Sequence, residues 1–271
     1  MEGTRFETVA ELYDRVRPGY PEPLLDSAFA TAGIGPGAGV LEIGCGTGQL
    51  TGALVERGFR VRALDPGAGM LAAARRRVGG VELVHARFED ADLPRGAFDA
   101  VVSASAFHWV DPAVGWRKAA DVLRPGGAIV LLTHMFVAGA VSADAAAKLR
   151  AVYARHTGAE WRLRTPDEVL AEAHARRDNV SAVWAVADGR PEVAEARRLF
   201  EPATVEALAW EARYSADELI AYQRTTATNL GLDEGRSAAL EQELRALVQE
   251  LGGVFPRTYL TLAAVARRVI G

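Results

Sequence analysis

Between residues 40 and about 136 the hydrophobic positions follow two alternating periods. Short runs rich in β-branched and other apolar residues, at 40–43, 60–64, 81–84, 100–103 and 128–133, read as buried strands. Amphipathic runs at about 49–57, 68–78 and 113–123 lie between them and read as helices. These helices end at Gly58, at Gly79-Gly80 and at the turn Arg124-Pro125-Gly126-Gly127; glycine just past a helix takes a left-handed cap at little cost. The alternation predicts a parallel sheet covered by helices, with right-handed crossovers and a ligand site at the carboxyl ends of the strands.

Outside this block the pattern changes. Residues 21–33 read as a helix with prolines in its first turn, preceded by the aromatic and basic stretch Tyr13-Asp14-Arg15-Val16-Arg17-Pro18-Gly19-Tyr20, which is placed to fold over the ligand end of the sheet. After Phe136 the alternation stops, and helical runs at 144–156 and 166–177, with Trp161 and Trp184, read as a cap inserted over residues 138–198. Alternation returns at 204–214; Ser215 and Glu218 then have the spacing of a capping box, a helix follows at about 237–251, and a last strand at 257–266. One domain spanning 1–271 with an insertion fits this order better than two equal domains.

Composition narrows the picture further. With 271 residues, 49% of them hydrophobic, the chain can bury a full core. A net charge of −4 supplies no positive field for nucleic acid or an anionic membrane, so neither is an expected partner. The tight run Arg75-Arg76-Arg77 reads as a solvated helix face. Cys45, the one cysteine, excludes an internal disulfide and any multi-cysteine metal site and points to a reducing compartment, the cytoplasm by default; no metal is expected. The start, MEGTRFETVAELYDR, is too acidic and polar for a signal peptide, and the apolar run at 128–141 is too short to span a bilayer.

Candidate chemistry begins at Gly44, Gly46 and Gly48, just past the first strand, where missing Cβ atoms allow a sharp turn and a close approach of ligand to backbone. The loop fails the dinucleotide fingerprint, because Gln49 and Thr51 stand where it needs glycine or alanine, and fails the phosphate-loop pattern, because no lysine precedes Lys118. Asp65 lies 21 residues beyond Gly44, close to the spacing at which a carboxylate accepts ribose hydroxyls. The pattern suits a nucleoside without a pyrophosphate. The competing reading of the glycines is a tight turn alone, and of Cys45 a small filler with no catalytic role.

Four motifs in order resemble those of class I S-adenosylmethionine-dependent methyltransferases: Glu42-Ile43-Gly44-Cys45-Gly46-Thr47-Gly48, Leu64-Asp65-Pro66, Phe98-Asp99-Ala100-Val101-Val102 and Leu123-Arg124-Pro125-Gly126-Gly127. The stretches Tyr13 to Tyr20 and Ala106-Phe107-His108-Trp109-Val110-Asp111-Pro112 are similar to a small-molecule branch that includes trans-aconitate-type methyltransferases. The resemblance implies a Rossmann-like, doubly wound α/β fold whose seven-stranded sheet has a reversed last strand, with S-adenosyl-L-methionine as cofactor and methyl transfer to a small-molecule acceptor. Carried over residue by residue, it implies that Gly44, Gly46 and Gly48 line the methionine and ribose portions, with Glu42 holding the loop. Asp65 then binds the ribose, Pro66 and Met70 flank the adenosine, and the Ala104 and Ser105 carbonyls meet the methionine ammonium. Where the family often has an acid after the third strand this chain has Arg87, so adenine is assigned to Phe88 and to Glu89 or Asp90.

Tyr13, Arg17 and Tyr20 are expected to close over the carboxylate of the cofactor, and Tyr20 with His108 are the candidate catalytic residues. Phe107, Trp109, His134 and Trp161 are expected to line the acceptor pocket. For His108 two roles stand, base or wall; His134 competes for the first. Three rival functions stand beside methyl transfer to a small molecule: a catalytically silent protein of the same fold, a methyltransferase acting on macromolecules, and a nicotinamide-dependent oxidoreductase, which the failed fingerprint disfavours.

Overall fold

Apolar runs become strands where period and length coincide, and the intervening amphipathic runs become the helices that cover them. The computed structural model describes residues 9–158 and 161–270; the N-terminal stretch read against a signal peptide lies outside the described residues up to residue 8. The first half contains α1 (Ala10–Val16), α2 (Glu22–Ala32), β1 (Gly39–Ile43), α3 (Gln49–Glu56), β2 (Arg60–Asp65), α4 (Ala68–Arg77), β3 (Glu82–His85), β4 (Phe98–Ala104), α5 (Pro112–Val122) and β5 (Leu123–Val137). Then follow α6 (Ala143–Thr157), α7 (Pro166–Ala175), α8 (Val180–Asp188), α9 (Ala196–Leu199), β6 (Thr204–Tyr214), α10 (Ala216–Arg224), α11 (Ala227–Leu230), α12 (Glu234–Glu250) and β7 (Phe255–Arg267).

The seven strands form one sheet in the order β3-β2-β1-β4-β5-β7-β6. β1 pairs in parallel with both β2 and β4, so the winding direction reverses between β1 and β4 and opens a crevice at their carboxyl ends. β7 runs antiparallel to β5 and β6, the reversed last strand that the resemblance implies. Successive residues face opposite sides of the sheet: Leu41, Val101, Ile129 and Leu131 enter one core, and Val40, Val102, Val130 and Leu132 the other. The turn at Arg124–Gly127 lies inside β5 as a register shift, because β4 pairs Phe98 with Leu123 and then Ala100 with Ala128.

Two elements differ from the sequence reading. β5 continues through Thr133 and His134 to Val137, paired with residues 258–262 of β7, and the polar His134 finds a partner within the sheet: its Nδ1 lies 2.8 Å from Thr261 Oγ1. The stretch expected as a single cap over 138–198 is divided. Val169, Ala173, Val180, Val183 and Trp184 of α7 and α8 join the core of the main sheet, whereas Ala145, Leu149 and Val152 of α6 pack with Leu219, Leu240, Leu244 and Val248 of α10 and α12. The helical layer at the strand ends is therefore built from two insertions, one after β5 and one between β6 and β7. Its base is the projecting part of β5, β6 and β7, through Phe136, Tyr214, Phe255 and Tyr259.

Leu244 is 0% exposed at the centre of this second core. Leu244→Ala is expected to lower the unfolding free energy by about 2–5 kcal/mol, measured by urea denaturation; a loss within about 0.5 kcal/mol, as for an exposed site, would mean that the layer adds little to global stability.

Candidate active site

β1 ends in a loop whose first two amides, of Gly44 and Cys45, both donate to the Leu64 carbonyl at 2.8 and 3.1 Å. All three glycines have positive φ, at 70°, 55° and 86°, yet each is bare for its own reason. A Cβ on Gly44 would meet Ala106 Cβ at 2.4 Å, and one on Gly48 would press on Ala74 of α4 at 3.2 Å. Only at Gly46 would a Cβ point into open space, and Gly46 lines the cavity. Gly48 instead opens α3 and stands outside the wall.

Asp65, at the end of β2, holds this loop. Its Oδ2 accepts from the Gly46 amide at 2.9 Å and its Oδ1 from the Gly67 amide at 2.8 Å; an ionised carboxylate can accept about four hydrogen bonds. Glu42 lies beneath the loop, not on the cavity wall, and accepts from the Thr51 hydroxyl at 2.6 Å. Burial pushes its carboxyl up to about 7, against the Thr51 hydrogen bond, with Asp65 adding to the rise. Cys45 is buried, and burial pushes its thiol well above the ordinary range.

The cavity has a volume of about 1030 Å³ and runs along the carboxyl ends of the strands. Gly44, Gly46, Asp65, Pro66, Met70, Phe88, Glu89, Ala104 and Ser105 stand at one end or along its floor. Of the two acids named for adenine, Glu89 lines the wall and accepts from the Asp111 amide and from Arg87, whereas Asp90 is exposed and outside it. Ser105 has φ 52°, the one positive value outside glycine among the described residues, and receives the Tyr20 hydroxyl at 3.0 Å. Tyr20 stacks on His134 with ring centres 4.5 Å apart. Burial raises the Tyr20 phenol far above its ordinary value, so it acts as a hydroxyl donor.

Tyr13, Arg17 and Tyr20 also line the cavity. The Arg17 guanidinium is engaged within the protein: Nε and Nη2 donate to the Thr225 hydroxyl and carbonyl at 2.9 and 2.6 Å, and Nη1 to Tyr222 at 3.1 Å. Gln49 donates to the Arg17 carbonyl at 3.0 Å, joining the N-terminal arm to the glycine-loop helix. His108 and Trp109 line the cavity with Arg190, and Trp184 stacks on His108 at 6.5 Å. Burial, with Arg190 adding, lowers His108 to about 4; burial lowers His134 to about 4 as well, Arg17 adding and the Gly19 and Pro18 carbonyls opposing. Both imidazoles are neutral near pH 7.

Phe107 and Trp161 do not reach the cavity. Phe107 turns into the core against Trp116, 4.8 Å between centres, and Trp161 packs between Phe136 and Tyr153. The structure adds wall residues that the motifs did not single out. Gln49 follows the glycine loop directly, and His85 ends β3 with Nε2 2.9 Å from the Pro66 carbonyl, so strand-end position was their signal. Arg190, Tyr222, Thr226 and Ala227 arrive from the two helical insertions and had no local signal.

Residues 41–131 match a family model described as a methyltransferase domain. An uncharacterised methyltransferase of Mycobacterium tuberculosis is 39% identical over 127 residues, covering 47% of this chain and 51% of that protein; the chain spans about half the length of its curated Mycobacterium relatives. Among solved structures, a protein of Anaeromyxobacter dehalogenans provisionally assigned as a type II methyltransferase superposes with a TM-score of 0.62 at 24% identity, over 94% of this chain and 99% of that one. A phosphoethanolamine N-methyltransferase of Haemonchus contortus, solved with S-adenosylhomocysteine and phosphomonomethylethanolamine, gives 0.50 at 16% identity, over 97% and 58%. Both structural likenesses are likenesses of fold.

The raised Glu42 carboxyl has a consequence for stability. Between the unfolded value of about 4.3 and the folded value of about 7, the folded state keeps a proton that the unfolded state has lost, so this residue makes stability fall as pH rises through that window. Glu42→Gln should flatten the slope, with a difference reaching up to about 3 kcal/mol above the window. Urea midpoints measured at about pH 5 and about pH 8 check this; parallel pH profiles for the two proteins would show that Glu42 titrates normally.

Proposed function

The chain carries a methyltransferase domain of the class I S-adenosylmethionine-dependent family, and on that premise we propose that it transfers the methyl group to a small-molecule acceptor held in the 1030 Å³ cavity. The observation that carries this reading is one cavity along the strand ends whose wall joins bare backbone and carboxylates to aromatic, imidazole and guanidinium groups. Pockets for single small ligands run to about 1,000 Å³, so this one suits a nucleoside together with a compact acceptor.

Gly46 offers bare backbone and Asp65 a carboxylate acceptor where a ribose would lie, while Pro66, Met70 and the Phe88–Glu89 turn wall an adenine site. S-adenosylmethionine bound there supplies a sulfonium methyl already activated for displacement, with a neutral thioether as leaving group. The residues of the chain have three tasks. The N-terminal arm, tied down through Arg17 and Gln49, excludes water from the strand ends. Trp109, His108 and Arg190 orient the acceptor, since alignment alone can contribute about 7–11 kcal/mol in favourable models. Neutral His108 with a pKa of about 4 is poorly matched to proton removal near pH 7 and serves as a wall that accepts or donates a hydrogen bond. A concave cavity and a net charge of −4 favour a small acceptor over a nucleic acid, and a lone buried cysteine suits the cytoplasm. No helix among the described residues is long and apolar enough to cross a membrane.

Calorimetry should detect binding of S-adenosylmethionine, and Asp65→Ala should weaken it by about 10- to 100-fold, since a hydrogen bond to a charged group contributes about 1.5–3 kcal/mol. Incubation with methyl-labelled donor and a cell extract should place label in the small-molecule fraction; label confined to precipitated protein or nucleic acid would replace the small acceptor with a macromolecular one. For the wall role of His108, His108→Gln should leave the shape of the pH–rate profile between about pH 6 and about pH 9 unaltered. A limb that vanished in that variant would make the imidazole a base.

A further inference from the structure

Tyr222 of α10 occupies an unusual position in the cavity wall. Its ring centre lies 4.5 Å from the Arg17 guanidinium of α1 and 4.7 Å from the Arg257 guanidinium of β7, and its hydroxyl oxygen accepts from Arg17 Nη1 at 3.1 Å. Arg257 is enclosed by aromatic rings, also resting 4.4 Å from Phe136 and 4.8 Å from Tyr259, and its buried Nε has no hydrogen-bond partner. Among the described residues neither guanidinium makes an ion pair. The groups facing this cluster are Tyr13 on α1, Tyr153 on α6, Tyr214 on β6, Tyr259 on β7 and the neutral His134 on β5. The acidic protons of the cluster are thus phenolic, and Tyr222 is the phenol that meets both cations and the cavity.

Two half-buried cations, Arg17 and Arg257, neither with a carboxylate, favour a negative charge on the group they share. We propose that Tyr222 is a catalytic residue of the methyl transfer, receiving on its phenol oxygen the proton that the acceptor loses. This rests on the methyltransferase reading above and deepens it. The acceptor heteroatom forms its bond to the methyl carbon as the carbon–sulfur bond breaks and its electron pair leaves with sulfur. The proton of the acceptor passes to Tyr222, which begins as phenolate and ends as phenol, balancing the charge lost when the sulfonium becomes a thioether. The electrostatics of the cluster agree. Burial alone pushes the Tyr222 phenol up, but Arg257, then Arg17, and a hydrogen bond from Tyr259 bring it below its ordinary value, while burial raises Tyr259, which therefore keeps its proton. Tyr214 and Tyr259, with hydroxyls 2.9 Å apart, extend the network away from the cavity.

The test needs no identified acceptor. Ultraviolet difference absorbance, titrated with pH, should show one tyrosinate in the wild-type protein forming below the ordinary value of about 10 and missing from Tyr222→Phe. Methyl incorporation from labelled donor into a metabolite extract should rise with pH through the same midpoint and level off. In Tyr222→Phe it should fall by about 100-fold or more and lose that limb, with affinity for S-adenosylmethionine retained in calorimetry. Arg257→Gln should move midpoint and limb upward together by about one to three pH units. Identical absorbance titrations for wild type and Tyr222→Phe would overturn the ionised phenol, and full incorporation by Tyr222→Phe would overturn the base role even with an early tyrosinate. Failure of the wild type to bind the donor or to incorporate any label would instead sink the methyltransferase reading, and this proposal with it.

Discussion

The carboxylate of Asp65 is the constraint on which the ligand end of the sheet depends. By accepting from the amides of Gly46 and Gly67 it joins the turn after β1 to the turn after β2. Those amides have no strand partner to use, and a buried carboxylate left without donors would be costly. Each supplies what the other lacks. The loop can adopt this path only because Gly44 slides under Ala106 and Gly48 lies against Ala74; with those approaches closed, Gly46 could not present its open side to the cavity.

Around that anchor the cavity wall carries both acidic and basic groups. Asp65 stands on the wall, Glu42 lies beneath the glycine loop and Glu89 stands beside Phe88. Guanidinium groups and aromatic rings share the same wall, where Arg17 fastens the arm to α10 and Arg190 flanks His108. Burying Arg257 there without an ion pair is tolerable because rings and hydroxyl oxygens substitute for a carboxylate, through quadrupole attraction and hydrogen bonding. The long strands β5, β7 and β6 make this possible by running past the crevice and carrying a second core outward.

The chain's local pattern was sufficient for the sheet and for one end of the site. Strand positions followed from apolar runs that face alternate sides, as at Val40 and Leu41 or Val101 and Val102, and the loop followed from three glycines and an acid at βα spacing. These features are legible because turn conformation and side-chain period are properties of a few neighbouring residues. Local pattern misplaced what depends on partners far along the chain. The fifth strand read as ending at 133, but it runs on past His134, whose partner Thr261 lies across the sheet. Helices α7 and α8 read as cap until their apolar faces met the main core, and Trp161 read as pocket until Phe136 and Tyr153 claimed it.

The wall around Tyr222 shows the division most sharply. Arg17 and Thr225 are 208 positions apart, and Tyr222 meets cations from α1 and β7 at once. No spacing rule connects such residues, because their meeting is set by how two helical insertions pack over the same strand ends. The sequence by itself determined where the parallel strands and their covering helices fall along the chain, the bare loop and the acid beside it, since those follow from local period and backbone sterics. The tertiary structure alone decided which glycine faces the cavity, which side chains close it and how Arg17 and Arg257 come to flank Tyr222, since those follow from long-range packing.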